Sequence, residues 1–233
     1  MLDTSAPNIA RAYDYLLGGG ANFAADRSLA RRLAELYPRT PDILSISRTF
    51  VADSLPPLAR GGVGQFVDVG SGLPTRPSMH SAVLSASRAA RIVYVDNDPA
   101  VVQHVTSLVP PGVRAIEGDL AEPEALLDSL GRHVSFSRPL CLILALVLQV
   151  LDPGTARAVV GVLVRALPPG SYLLVTAGAG EEGRLPDAVS PGGFGPEDLA
   201  SFLAGLELVP PGISAGPVLY AIGKKTTTGK KHE

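Results

Sequence analysis

Apolar residues in the middle of this chain fall into two alternating rhythms. Short runs, nearly solid in Val, Ile and Leu, cover 65–69, 91–95, 113–116, 140–144, 171–176 and 218–222 and read as strands. Between the first five, near 77–87, 99–109, 122–130 and 155–166, apolar residues return every three or four positions and read as helices. Pro99 and Pro123 suit the first turn of a helix, where a missing N–H costs nothing. Alternation at this spacing predicts a mostly parallel sheet with helices on both faces. The run 140–144 is apolar at every position, as a central strand covered on both sides should be.

The two ends break this rhythm. Before the first strand the pattern predicts three helices. The first covers 6–17, capped by Thr4 or Ser5. The second covers 23–37, with a stripe of Leu29, Leu33 and Leu36. The third covers 41–58, with Ile43, Ile46, Phe50 and Val51 inward. Gly18-Gly19-Gly20 and Gly61-Gly62 punctuate this preface. After the fifth strand, 181–195 is rich in Gly and Pro and reads as a loop beside a pocket. A helix over 195–206 follows, then a strand over 207–213 interrupted by Pro210-Pro211, then a short turn into the last strand. Strands joined that tightly must be antiparallel. The expected fold is α/β: a Rossmann-like, mostly parallel sheet with a C-terminal antiparallel hairpin. The expected organisation is a helical cap over 1–62, an α/β domain over 63–223 and a basic disordered tail over 224–233.

A chain of 233 residues, 46% apolar, can bury one substantial core. Net charge is −2, but all four lysines (Lys224, Lys225, Lys230 and Lys231) lie in the last ten residues, so the body is more acidic still. Nothing in that balance favours nucleic acid or an anionic membrane as partner. One cysteine, Cys141 in an apolar run, excludes an internal disulfide and a Cys-based zinc site and reads as a buried hydrophobe. The longest apolar run, 140–150, is too short to span a bilayer, and no secretory signal is evident, so a cytoplasmic protein is expected.

The chemistry concentrates where the first two strands end. The first runs into Asp68-Val69-Gly70-Ser71-Gly72, and the second ends in Asp96-Asn97-Asp98. Glycines after one strand and a carboxylate after the next make a nucleoside-cofactor site: the glycines admit the ligand and Asp96 accepts from its ribose hydroxyls. A dinucleotide fits poorly. The third glycine of the usual Gly-x-Gly-x-x-Gly loop is missing, Pro74 removes a donor, and Asp68 would repel a diphosphate. The terminal hairpin also departs from the NAD-binding arrangement, which leaves a nucleotide-dependent oxidoreductase as the third reading. Asp68 suits a cationic ligand instead. S-adenosylmethionine, with a sulfonium and an α-amino group and no phosphate, meets that requirement.

These residues carry a resemblance. Asp68-Val-Gly-Ser-Gly72 with Asp96 resembles the cofactor motifs of class I S-adenosylmethionine-dependent methyltransferases. More narrowly the chain resembles the actinobacterial S-adenosyl methyltransferase family, formerly a domain of unknown function. The match runs through 10–19, 22–27, 70–75, 93–99 and 167–172 and extends from about Thr4 to Gly223. It implies S-adenosylmethionine as cofactor and S-adenosylhomocysteine as product. It also implies Gly118-Asp119-Leu120 as the adenine-side motif, with Asn97 against the ring and Ala145 and Leu146 as apolar walls. The chain departs from the family at Leu148-Gln149, where a Leu-His pair is usual, and in the short segment 177–194; both help shape a substrate pocket.

The expected reaction is in-line displacement onto an oxygen or nitrogen of a small molecule, and it asks for no metal. The alternative is a protein of the same fold that binds S-adenosylmethionine or S-adenosylhomocysteine in a non-methylating or regulatory role. His80, Tyr13 and Asp26 are the candidate catalytic groups. Tyr15, Asn22, Arg27, Arg48 and Gln149 are candidates for the substrate side or for a lid hinged at Gly18–Gly20.

Overall fold

A computed structural model of the chain describes residues 5–180 and 193–227. Three helices, α1 (Ile9–Leu16), α2 (Ala24–Leu36) and α3 (Thr40–Arg60), precede the sheet. Its strands are β1 (Gln65–Val69), β2 (Arg91–Asp96), β3 (Val113–Glu117), β4 (Cys141–Ala145), β5 (Tyr172–Gly178), β6 (Glu207–Leu208) and β7 (Val218–Lys224). Between them lie α4 (Met79–Ala86), α5 (Pro99–Leu108), α6 (Pro123–Leu130), α7 (Pro153–Ala166) and α8 (Pro196–Phe202). The strand order is β3-β2-β1-β4-β5-β7-β6. The first five strands pair in parallel, while β7 runs antiparallel to both β5 and β6. The expected α/β class and terminal hairpin are both present.

Each central strand feeds two cores by simple alternation. Val67, Val69, Leu142 and Leu144 pack with α6, α7 and α8 on one face. Phe66, Ile92, Cys141 and Ile143 pack with α3, α4 and α5 on the other. Asp68 occupies the Phe66 face, in a strand buried at all five positions. A carboxylate at a place where the pattern calls for Val or Ile is the first structural sign of function. The chain order also reverses between β1 and β4, which opens a crevice at the carboxyl ends of these strands.

The boundaries differ from expectation in instructive places. The first helix begins at Ile9, capped by the Asn8 side chain on the Arg11 N–H, not by Thr4 or Ser5; Thr4 lies outside the described residues. Leu36 and Ile46 are exposed, so the inward faces of α2 and α3 are narrower than their apolar spacing implies. The strand expected over 207–213 stops at Leu208, because Pro210 and Pro211 have no N–H to give the ladder. Of the tail expected over 224–233, Lys224 ends β7, the Lys225 ammonium donates to the Val164 and Arg165 carbonyls at the end of α7, and 228–233 lie outside the described residues. Most of the loop expected over 181–195 lies outside the described residues. At its far end Phe194 is buried and bridges to Ala179. No helix among the described residues is long and apolar enough to cross a membrane.

Candidate functional site

The crevice is built from the residues that leave β1, β2 and β4. Gly70 and Gly72 both take left-handed backbone, with φ of 67° and 56°. At Gly70 a Cβ would come within 2.1 Å of the Val147 side chain, so only glycine fits there. The Gly72 N–H donates to Asp96 Oδ2 at 2.9 Å, and the Asp98 N–H donates to Oδ1 at 3.1 Å. Burial raises the Asp96 pKa, and these two N–H groups offset part of that. Each carboxylate oxygen still has a lone pair to offer.

Two adjoining cavities lie over these loops. The larger, about 320 Å³, is lined by Asp96, Asn97, Asp119, Leu120 and Val101, with Asn8 and Tyr13 on the α1 side. Within it Asn97 Nδ2 donates to Asp119 Oδ2 at 3.3 Å, while Asp119 Oδ1 accepts the Ala121 N–H at 2.8 Å. The smaller, about 70 Å³, is lined by Asp68, Ser71, Ala145, Ser47, Arg48 and Asp14. Ala10, Tyr13, Gly70, Gly72 and Leu146 line both. Leu146 has a φ of 53°, the one positive value at a non-glycine residue among those described. Strain of this kind gathers at working sites, and here it turns Leu146 out of the core stripe of Leu142, Leu144 and Leu148 and over the crevice.

Asp68 is the outlier of the site. Only 3% exposed, it receives no hydrogen bond from any described residue. Burial pushes its pKa up to about 7; the Arg48 guanidinium works against the rise and the Asp96 charge adds to it. Arg48 Nη2 itself donates to the Ser71 and Leu73 carbonyls at 3.2 and 3.1 Å, which ties α3 to the glycine loop. Ser47 and Thr176 share a 2.6 Å hydrogen bond beside it, joining α3 to β5.

Helix α1 roofs both cavities and is held at its ends. Asn8 Nδ2 donates to Asp98 Oδ2. Arg11 Nε donates to Asp26 Oδ2 at 2.8 Å, and Asp26 also accepts the Asn8 and Phe23 N–H groups. Burial alone would raise the Asp26 pKa, but these donors hold it below the ordinary carboxylate range. Asp14 accepts from the Ala21 N–H and from Asn22 Nδ2, closing the Gly18–Gly20 turn. Arg27 Nη1 donates to Asn22 Oδ1 and O.

The residues expected in the site therefore divide. Asp68, Gly70, Ser71, Gly72, Asp96, Asn97, Asp119, Leu120, Ala145, Tyr13 and Arg48 meet around the two cavities. Asp26, Asn22, Arg27 and Tyr15 stand outside both; Tyr15 lies under the Arg31 guanidinium at 5.9 Å. His80 also stands outside. Its Nδ1 lies 3.0 Å from the Tyr94 hydroxyl, its Nε2 3.3 Å from Ser78 Oγ, and burial lowers its pKa. Gln149 is buried in a 3-10 turn, its Oε1 without a partner among the described residues. Asn8, Leu44, Ser47, Asp98 and Val147 also line the cavities without having been expected there, and Asp14, inside the N-terminal block 10–19, lines the smaller one. Asp14 and Asp98 adjoin motifs already singled out, but nothing in the sequence marks Leu44 and Ser47 beyond sharing a helix face with Arg48.

Comparison with known proteins agrees with this geometry. A family model described as S-adenosyl methyltransferase matches residues 1–228. A crystal structure of a candidate methyltransferase from Thermobifida fusca YX is 33% identical, with a TM-score of 0.85 over 97% of both chains. A DUF574 family protein from Streptomyces avermitilis MA-4680 is 29% identical, with a TM-score of 0.81 over 96% of this chain and 99% of that one. At 16% identity, the fold alone is shared with the N-methyltransferase NodS of Bradyrhizobium japonicum WM9, solved with S-adenosyl-L-homocysteine, at a TM-score of 0.57 over 85% of this chain and 97% of that one. A search of the curated proteins found no match. The chain belongs to the S-adenosyl methyltransferase family, whose cofactor is S-adenosylmethionine.

Proposed function

We propose that this protein transfers the methyl group of S-adenosylmethionine to an oxygen or nitrogen of a small molecule. The single observation that carries the reading is the pair of adjoining cavities, with Asp68 lining one and Asp96 the other. Asp96, its oxygens oriented by backbone N–H groups, suits a ribose diol; Asn97, Asp119 and Leu120 then edge the base, and Val101 and Leu146 wall it. Asp68, buried and unpaired beside Gly70, Ser71 and Gly72, suits the α-amino group, and the free edge of Arg48 suits the α-carboxylate. The left-handed glycines leave open the space that a Cβ would fill.

When bound, S-adenosylmethionine supplies an electrophilic methyl group on a sulfonium. The chain's own share is positioning. Glycine backbone, Asp68 and Asp96 fix the donor at two points, while Tyr13 and α1 keep water away from the junction between the cavities. Burial raises the Tyr13 pKa, so its hydroxyl stays protonated and serves as a donor, not as a base. His80 and Asp26, committed to Tyr94 and Arg11, take no part in the chemistry on this reading.

One observation favours the non-methylating alternative: Gln149, where the family usually carries His, is buried with an orphaned oxygen and offers no base to the crevice. Calorimetric titration with S-adenosylmethionine and S-adenosylhomocysteine, followed by transfer of radiolabelled methyl to a metabolite extract, separates the two. Binding with transfer supports the methyltransferase and binding without transfer the alternative. No binding of either compound rejects both.

A further inference from the structure

A second concavity opens at the amino-terminal ends of β2 and β3, opposite the end that carries the crevice. Arg91 begins β2 and Arg114 lies in the edge strand β3, while Arg132 and His133 come from the turn after α6; together they line a cleft of about 500 Å³. Its remaining lining is Ile92, Val93 and Gly112, and no carboxylate is among them. Arg91, Arg114 and Arg132 are exposed, and none forms an ion pair with a described residue. Arg132 Nη2 donates to Ser129 Oγ at 3.1 Å, which steadies one guanidinium on the rim.

The concentration runs against the composition of the chain. The body carries more acidic than basic residues, yet three guanidiniums and an imidazole share one cleft without a counter-charge. Such a cleft focuses positive potential and costs self-repulsion until an anion fills it. Arginine's planar fork matches phosphate oxygens two at a time, and arginine recurs wherever phosphate is recognised. The cleft is also separate from the cofactor crevice. Arg91 and Asp96 occupy opposite ends of β2, about 17 Å apart at the usual strand rise of about 3.3 Å per residue.

We propose that this cleft binds a small phosphorylated molecule through Arg91, Arg114, Arg132 and His133. The ligand is a compact di- or polyanion, in keeping with an open cleft of about 500 Å³.

The test is titration of the full-length protein with inorganic pyrophosphate, read by calorimetry at constant ionic strength, with sodium chloride as control. S-adenosylmethionine affinity reports that each variant is folded. The expected result is saturable 1:1 binding that weakens at least tenfold in R91Q/R114Q and again in R132Q, with S-adenosylmethionine affinity within twofold of wild type. Absence of saturable binding at millimolar pyrophosphate would overturn the proposal. So would binding that the substitutions leave unchanged, and so would tighter, length-dependent binding of a single-stranded oligonucleotide through the same arginines, which would assign the face to nucleic acid.

Discussion

Two buried carboxylates, one on α2 and one on β1, meet opposite fates. Asp26, inside the helical cap between α1 and α2, collects Arg11 and two backbone N–H groups and stays ionised. Asp68, beneath the crevice, collects none from the described residues and titrates near neutral pH. Both are almost sealed from solvent. The difference lies in what is left over: Asp26 has spent its acceptors on the fold, while Asp68 keeps its own for a ligand. A buried charge with its partners present is architecture, and a buried charge without them marks where a partner arrives.

Substitution at each breaks the comparison in a different way. Asp26→Ala removes the carboxylate that the buried Arg11 guanidinium and two backbone N–H groups share, and should cost about 3–5 kcal/mol of stability, read as a lowered Tm or urea midpoint. A loss below about 1 kcal/mol would mean that the cap is not held by this pair. Asp68→Asn should do the reverse. Its folded pKa is raised, so its contribution to stability is present below the unfolded value near 4 and is lost as pH rises toward 7. Removing the charge should therefore raise Tm at pH 8 and change it little at pH 4, while S-adenosylmethionine binding weakens by about 1–3 kcal/mol.

Smaller effects sharpen the picture. Asp96→Ala should weaken binding by about 1–3 kcal/mol through the lost ribose contacts, and should also loosen the glycine loop, since Gly72 loses its acceptor. Exchange of the Gly72 amide, followed by hydrogen–deuterium mass spectrometry, should then rise. Asn8→Ala removes the tie from the cap to Asp98 and should cost about 0.5–1.5 kcal/mol, read chiefly as faster release of S-adenosylhomocysteine in stopped flow. An unchanged release rate would show that α1 does not gate the crevice.

The same division explains what the sequence could and could not reveal. Gly70, Gly72 and Asp96 are legible because a left-handed turn directly after one strand and a carboxylate at the end of the next are each written in a few consecutive residues, whereas the close approach of Val147 to Gly70 is not. The terminal hairpin was legible from turn length alone. His80 and Asp26 do not line the cavities, because reactive side-chain type says nothing about direction: His80 turns back onto Tyr94, and Asp26 turns beneath α1. Ser47 and Leu44 are invisible in the sequence because only the packing of α3 over β4, β5 and β7 brings them to the crevice. Ile46, one residue before Ser47, faces outward from the same helix although it is the more apolar of the two.

The most direct test is calorimetric titration of wild type and Asp68→Asn with S-adenosylmethionine between pH 5.5 and 8. Wild-type affinity should climb by up to tenfold per pH unit as Asp68 ionises and level off near pH 7, before the ligand's own amino group titrates at about 8. The variant should bind weakly and without that acidic limb. Equal affinities with the same pH profile would contradict the assignment of Asp68 as the cofactor's counter-charge.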